Sequence, residues 1–130
     1  MFKGWEYSQP TGDLYFIDED GNREYIATGY SGKGEGLNNP DMDHVKDFGP
    51  IPRGLWDIGP QRDGGRMGPA TMLLTPRPET ETYDRERKTF YVHGDNPEGN
   101  YSASTRCIIL PRVVRNAINN SGVKLLEVIR

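Results

Sequence analysis

His93 and the single cysteine, Cys107, are the two side chains of this sequence best suited to nucleophilic chemistry. A thiol becomes a strong nucleophile when it is ionised, and a neighbouring imidazole can accept its proton and then stabilise the thiolate. His93 directly follows the β-type run 89–92, and Cys107 opens the apolar run 108–110. Two strands with these ends side by side would form a cysteine–histidine pair.

The residue types alone leave other interpretations open for both members of the pair. A lone cysteine beside isoleucine and leucine is most often a small buried hydrophobe. His44 is the other histidine of the chain, and we interpret it as a surface or capping residue in a helical turn over 41–46.

A catalytic histidine needs a partner that orients its ring, and Asp95 is the carboxylate nearest in sequence to His93. Residues i and i+2 of an extended chain share a face, so the two side chains can meet. Two alternatives remain: Asp95 forms a turn with the following Asn96 and Pro97, or a backbone carbonyl orients the imidazole.

The elements that must position these residues are mostly strands. The chain has 130 residues, enough for one domain over 1–130, and its 16 Gly and 10 Pro favour short strands joined by turns. Alternating and apolar runs predict about seven strands, at 5–9, 14–17, 23–28, 55–58, 71–75, 89–92 and 123–130. One helix is predicted with Pro111 as its first residue and with Val113, Val114, Ala117 and Ile118 on one apolar stripe. Residues 29–54 form a long glycine-rich loop, anchored by Tyr30, Leu37, Val45 and Phe48.

Composition excludes several classes of protein. A net charge of −3 argues against sequence-independent nucleic-acid binding. One Cys and two His cannot complete a four-ligand zinc site without carboxylates, and we expect no metal and no other cofactor. No apolar run approaches the roughly 18 residues of a membrane span. The first ten residues lack the apolar region of a secretory signal, so we expect delivery by another route.

Six motifs, in order and spacing, resemble those of the L,D-transpeptidases, the cysteine enzymes that remodel peptidoglycan. The branch that the chain resembles is the L,D-transpeptidase-like effectors of type VI secretion. The motifs cover nearly the whole chain: Tyr7-Ser8-Gln9-x-Thr11-Gly12, Gly29-Tyr30-Ser31-Gly32, Asn38-Asn39-Pro40, Gly49-Pro50-Ile51-Pro52-x-Gly54, His93-Gly94-Asp95-Asn96 and Ser102-Ala103-Ser104-x-x-Cys107-Ile108-Ile109-Leu110.

The resemblance implies a mainly β (α+β) fold, a compact β-sandwich or barrel. It also implies cleavage of muropeptide stems between the diamino acid at position three and the D-Ala at position four. Cys107 would be the nucleophile and His93 the base and then the acid, with Asp95 as the first choice of orienting partner. Water would make the reaction an L,D-carboxypeptidase step, and an amine would make it exchange or cross-linking.

The loop before the nucleophile departs from the family pattern, because Arg106 stands where glycine is usual. Its backbone N–H and that of Cys107 are the expected oxyanion donors. The guanidinium of Arg106 would anchor a substrate carboxylate, or else it is an exposed side chain that the turn tolerates. Ser104 and Gly94 are expected in the site loop, and Tyr30, Asn38 and Asn39 are expected to line the stem-peptide groove.

Family analogy also suggests partners and a place of action. The protein would be made in the cytoplasm and carried by a secretion-apparatus component into the periplasm of a target bacterium. A cognate immunity protein would protect the producing cell. The alternative function is a non-catalytic module that binds peptidoglycan or a partner, and a Cys107 pKa near the free value of about 8.5 would favour it.

Overall fold

A computed structural model describes residues 3–63, 68–83, 90–95 and 107–130 of the chain. Within these ranges nine strands form one mixed sheet that is accompanied by one α-helix. The strands are β1 (Gly4–Ser8), β2 (Asp13–Ile17), β3 (Arg23–Thr28), β4 (Tyr30–Ser31), β5 (Gly54–Arg62), β6 (Thr71–Pro76), β7 (Phe90–His93), β8 (Ile108–Ile109) and β9 (Leu125–Ile129). Helix α1 spans Arg112–Ser121, and the strands lie in the order β3-β2-β1-β9-β5-β6-β7-β8-β4.

The core forms where alternate side chains of these strands point inward. In β9, Leu126 and Val128 are buried, whereas the alternate residues Leu125, Glu127 and Ile129 are partly exposed. Trp56 of β5 is fully buried and packs edge-on against Phe90 of β7, with ring centroids 4.9 Å apart. Its indole N–H donates to the carbonyl of Pro52 at 3.1 Å, so this large side chain is buried without an unpaired donor.

The sheet is nearly closed, because its two edge strands are neighbours in sequence. β3 ends at Thr28 and β4 begins at Tyr30, so Gly29 alone joins the two edges. The N–H of Gly29 donates to the carbonyl of Gly12 at 2.8 Å. A Cβ on Gly29 would overlap the carbonyl oxygen of Ile109 in β8, so only glycine fits where the edges meet. We call this junction the seam.

Helix α1 confirms one predicted element and corrects its buried face. Pro111, predicted as the first helical residue, is instead the N-cap with an extended backbone, and Gly122 ends the helix in the left-handed conformation. Two residues of the predicted stripe, Val114 and Ile118, are buried. The other two, Val113 and Ala117, are exposed, and the side chain that completes the buried face is Arg115. The prediction was wrong because it placed only apolar residues on this face.

The mainly β fold with one helix is confirmed, but the number of strands is not. Nine strands replace the predicted seven, because β4 and β8 are two-residue strands that exist only through pairing with each other and with β7. The loop 29–54 contains 3₁₀ turns at Gly34–Gly36 and Pro40–Met42 rather than a helical turn at 41–46. Phe48, expected as an anchor of this loop, is 46% exposed.

That residues 1–130 form one domain stays a prediction. No helix in the described part of the chain is long and apolar enough to cross a membrane.

Candidate active site

Parallel pairing of β7 and β8 brings His93 and Cys107 to the same side of the sheet. His93 pairs with Ile109 and Val92 with Ile108. Val92 and Ile108 belong to the core cluster, so the alternate residues, including His93 and Cys107, point to the opposite face. The strand spacing and rise put their Cα atoms about 8 Å apart, a distance that an imidazole and a thiol can span.

The two side chains are withdrawn from solvent, at 6% exposure for His93 and 7% for Cys107. The Nδ1 of His93 lies 2.8 Å from the carbonyl oxygen of Gly94. A carbonyl only accepts, so Nδ1 carries the proton and Nε2 is the unprotonated nitrogen of the neutral ring. Burial lowers the pKa of His93, the Gly94 hydrogen bond opposes this, and the charge of Arg115 lowers the pKa further. The ring is therefore held in the form that accepts a proton.

Asp95 contacts the site through Tyr30 rather than through the Nδ1 of His93. The hydroxyl of Tyr30 donates to Asp95 Oδ1 at 2.6 Å, and the carboxylate raises the pKa of His93 only as the smallest of four influences. Sequence left three possibilities for Asp95 and the group that orients His93. In the structure a backbone carbonyl, that of Gly94, forms the hydrogen bond with Nδ1.

A cleft of about 600 Å³ opens at Gly94, beside the pair. Its lining includes Gly29 and Tyr30 of the seam, Asn38, and Arg112 and Arg115 of α1. His93 and Cys107 adjoin this cleft and are not part of its lining. Its position between the seam and α1 suits an extended chain that passes the pair.

The remaining predicted residues have diverse placements. Asn38 lines the cleft and also accepts the N–H of Ser31 at 3.1 Å. Asn39 caps the 3₁₀ turn at Pro40–Met42 by accepting the N–H of Asp41, and its amide donates to the backbone carbonyl of Glu35 in the turn at Gly34–Gly36, so its side chain links the two turns. Ser104 and Arg106 lie outside the described residues. His44 is exposed and stacks edge-on with Tyr83, as expected for a surface residue.

Arg115 is the site residue that sequence reasoning missed. It is 6% exposed, lines the cleft, and approaches Gly94 so closely that a Cβ there would lie 2.8 Å from its Nη2. The available signal was its position, since Arg115 shares a helical face with Val114 and Ile118. Among the described residues, no group of three or more His, Cys, Asp or Glu side chains is placed to hold a metal ion.

Solved structures of L,D-transpeptidases share this fold. A cysteine-to-serine mutant of the Enterococcus faecium L,D-transpeptidase matches over 99% of this chain and 50% of its own, with 12% identity and a TM-score of 0.59. The catalytic domain of the E. faecium enzyme matches over 98% and 97%, with 14% identity and a TM-score of 0.57. The Ldtfm–avibactam carbamoyl enzyme matches over 98% and 49%, with 15% identity and a TM-score of 0.56.

The chain thus spans about half the length of two of these proteins and nearly all of the isolated catalytic domain. No match was found among curated proteins. The model of the Tlde1 domain matches residues 25–128, which include every described residue of the candidate site except Thr11 at the cleft edge. The chain therefore belongs to the Tlde1 domain family, the type VI L,D-transpeptidase effectors.

Proposed function

We propose that this protein is a cysteine L,D-carboxypeptidase and L,D-transpeptidase that acts on peptidoglycan stem tetrapeptides. Membership of the Tlde1 domain family supports a peptidoglycan-acting, L,D-transpeptidase-like function. The proposed cysteine mechanism rests mainly on the hydrogen bond from His93 Nδ1 to the carbonyl of Gly94. This bond leaves Nε2 to act as a base on the face of the sheet shared with Cys107.

The first half-reaction forms a thioester. Nε2 of His93 accepts the thiol proton as Cys107 Sγ attacks the carbonyl carbon of the position-three residue, and a tetrahedral oxyanion results. Backbone N–H groups of Cys107 and Arg106 are the proposed donors to this oxyanion. When the C–N bond breaks, the imidazolium returns its proton to the nitrogen of the leaving D-Ala.

The second half-reaction releases the enzyme. His93 accepts a proton from water, the oxygen attacks the thioester, and the C–S bond breaks to give a tripeptide carboxylate and the thiol of Cys107. An amine in place of water forms a new amide, which exchanges the terminal residue or cross-links two stems. The lowered pKa of His93 keeps the ring neutral, as a general base requires at neutral pH.

The family also supports a role as an antibacterial effector. We propose that a secretion-apparatus component carries the protein into the periplasm of a target bacterium, and that an immunity protein protects the producer. Tyr30 and Asn38, which line the cleft, and Arg106 are proposed contacts of the stem peptide.

Incubation with purified disaccharide-tetrapeptide, followed by mass spectrometry, tests the chemistry. We expect loss of one D-Ala, and we expect Cys107→Ala to abolish it while leaving the melting temperature nearly unchanged. Avibactam, which carbamoylates Ldtfm, is a second probe and should add one avibactam mass to the wild type but not to Cys107→Ala. Binding of the muropeptide without release of D-Ala would instead support the non-catalytic module.

A further inference from the structure

The buried guanidinium of Arg115 is unusual because the described residues give it no carboxylate partner. Its Nε donates to the carbonyl of Leu110 at 3.1 Å, and its Nη1 donates to Pro69 at 2.8 Å and Ala70 at 3.3 Å. Leu110 directly follows β8, and Pro69 and Ala70 directly precede β6. Burial of an arginine without a neutralising acid is unfavourable, and it lowers the pKa of this group.

The hydrogen-bond count shows which end of Arg115 is available to a ligand. A guanidinium has five N–H donors, and the carbonyl partners occupy those on Nε and Nη1. The two donors on Nη2 have no protein acceptor among the described residues, and this nitrogen is not one of the fully buried side-chain atoms that lack a partner, so solvent reaches it. Because Arg115 lines the cleft and Nη2 lies over Gly94, the unused donors face the cleft next to His93.

The proposed reaction places an anion at this position. His93 must lie within hydrogen-bond distance of the departing amine nitrogen. In D-Ala the carboxylate carbon is only about 2.5 Å from that nitrogen, because a single Cα separates them. A cation that binds this carboxylate must therefore be a near neighbour of His93, and Arg115 is close enough for its charge to act on that imidazole.

We infer that Arg115 is the specificity residue that binds the terminal carboxylate of the leaving D-Ala, through the Nη2 donors that face the cleft. This inference rests on the proposed function. Its consequence is selectivity: a tetrapeptide presents a carboxylate at this point, whereas a pentapeptide presents a neutral amide. Arg115 also explains why Gly94 carries no side chain, since a Cβ there would displace Nη2. Arg106, the anchor expected from sequence, is the rival for this role.

Two matched substrates test the assignment: the disaccharide-tetrapeptide and the same molecule ending in D-alaninamide. We expect the wild type to favour the acid by about ten- to a hundredfold in kcat/KM, the range for one hydrogen-bonded charged contact. Arg115→Met should reduce this ratio to near one. Arg112→Met, which removes an exposed cation from the same cleft, and Arg106→Met should retain it.

Each ratio of kcat/KM values is measured for both substrates on the same protein preparation. A smaller fraction of folded protein therefore lowers both values equally and leaves the ratio unchanged. If Arg115→Met gives no folded protein, Gly94→Ala replaces it, because it keeps the cation but displaces Nη2, and it should also lower the ratio. A wild-type ratio near one, a ratio that survives both Arg115→Met and Gly94→Ala, or an equal loss in Arg106→Met or Arg112→Met would overturn the assignment. Failure of the wild type to release any D-Ala would instead refute the proposed function.

Discussion

Replacing Asp95 with asparagine tests whether a carboxylate or a backbone carbonyl orients the imidazole of His93, the proposed base. Asparagine keeps the size of the side chain and an oxygen that can accept from the hydroxyl of Tyr30, but it removes the charge. The hydrogen bond from His93 Nδ1 is accepted by the backbone carbonyl of Gly94, so the substitution leaves it in place. We therefore expect Asp95→Asn to keep most of the activity.

The loss of activity expected in Asp95→Asn is much larger if Asp95 orients His93 than if the carbonyl of Gly94 does. Loss of the triad carboxylate in serine proteases lowers kcat by about 10⁴-fold, which corresponds to roughly 5.5 kcal/mol. Asp95 is an exposed residue whose effect on His93 is the smallest of four, and exposed charge pairs contribute roughly 0–1 kcal/mol. The structure thus predicts that kcat/KM decreases by less than about tenfold.

The pH profile of D-Ala release gives a second readout. The pKa of His93 is already lowered, and Asp95 is one of the influences that raise it. Without this carboxylate the ring stays neutral to a lower pH, so the acidic limb of the kcat/KM profile should move to lower pH in Asp95→Asn. Tyr30→Phe, which removes the 2.6 Å hydrogen bond but keeps the charge, should leave the limb nearly in place.

Two outcomes would refute this reasoning. A thousandfold or larger decrease in catalytic efficiency would show that Asp95 orients the base, since an exposed charge cannot account for about 4 kcal/mol. An acidic limb that moves to higher pH would show that the carboxylate acts on His93 in the opposite sense.

Three further predictions concern the base, the loop and the seam. His93→Ala should slow alkylation of the single thiol near neutral pH and His44→Ala should not; equal rates in the two variants would mean that the wrong histidine was chosen. Arg106→Gly should lower kcat/KM for the tetrapeptide by about tenfold or more if this guanidinium also contacts substrate, whereas higher activity would show that arginine impairs the oxyanion site. Gly29→Ala should destabilise the fold by about 1–3 kcal/mol, because its Cβ overlaps the carbonyl of Ile109, and an unchanged denaturation midpoint would contradict the close packing of the seam.

Local sequence patterns predict the long strands because each pattern reports directly on burial. The run 23–28 coincides with β3, and the alternation at the chain end predicts β9, where Leu126 and Val128 point inward. The two-residue strand β4 has no such pattern, since its pairing with the distant β8 defines it, whereas β8 coincides with part of the apolar run 108–110. The seam could not be predicted from local sequence either, because glycine is required at position 29 by the carbonyl of Ile109, eighty positions away in the sequence.

The candidate site also contains residues that local sequence indicates and contacts that only the folded chain shows. His93 and Cys107 can be selected as candidates from the sequence because a thiol and an imidazole suit nucleophilic chemistry and their motifs are local; their catalytic roles stay predictions. The partner of Nδ1 could not be chosen from sequence, since Asp95 and the Gly94 carbonyl are both within two residues of the ring and only the backbone path distinguishes them.

Arg115 shows how a charged residue can be recognised on a buried face. With Val114 and Ile118 it forms one side of α1, and the apolar residues Val113 and Ala117 lie outside that side. Helical geometry makes 114, 115 and 118 neighbours, so burial of the two apolar members obliges Arg115 to point inward too. Inside the fold it needs acceptors, and the carbonyls of Leu110, Pro69 and Ala70 satisfy its donors on Nε and Nη1, whereas no residue in the described part of the chain accepts from Nη2. A buried cation with one end unsatisfied is stabilised by an anion, and the leaving carboxylate of the proposed substrate would supply one during turnover.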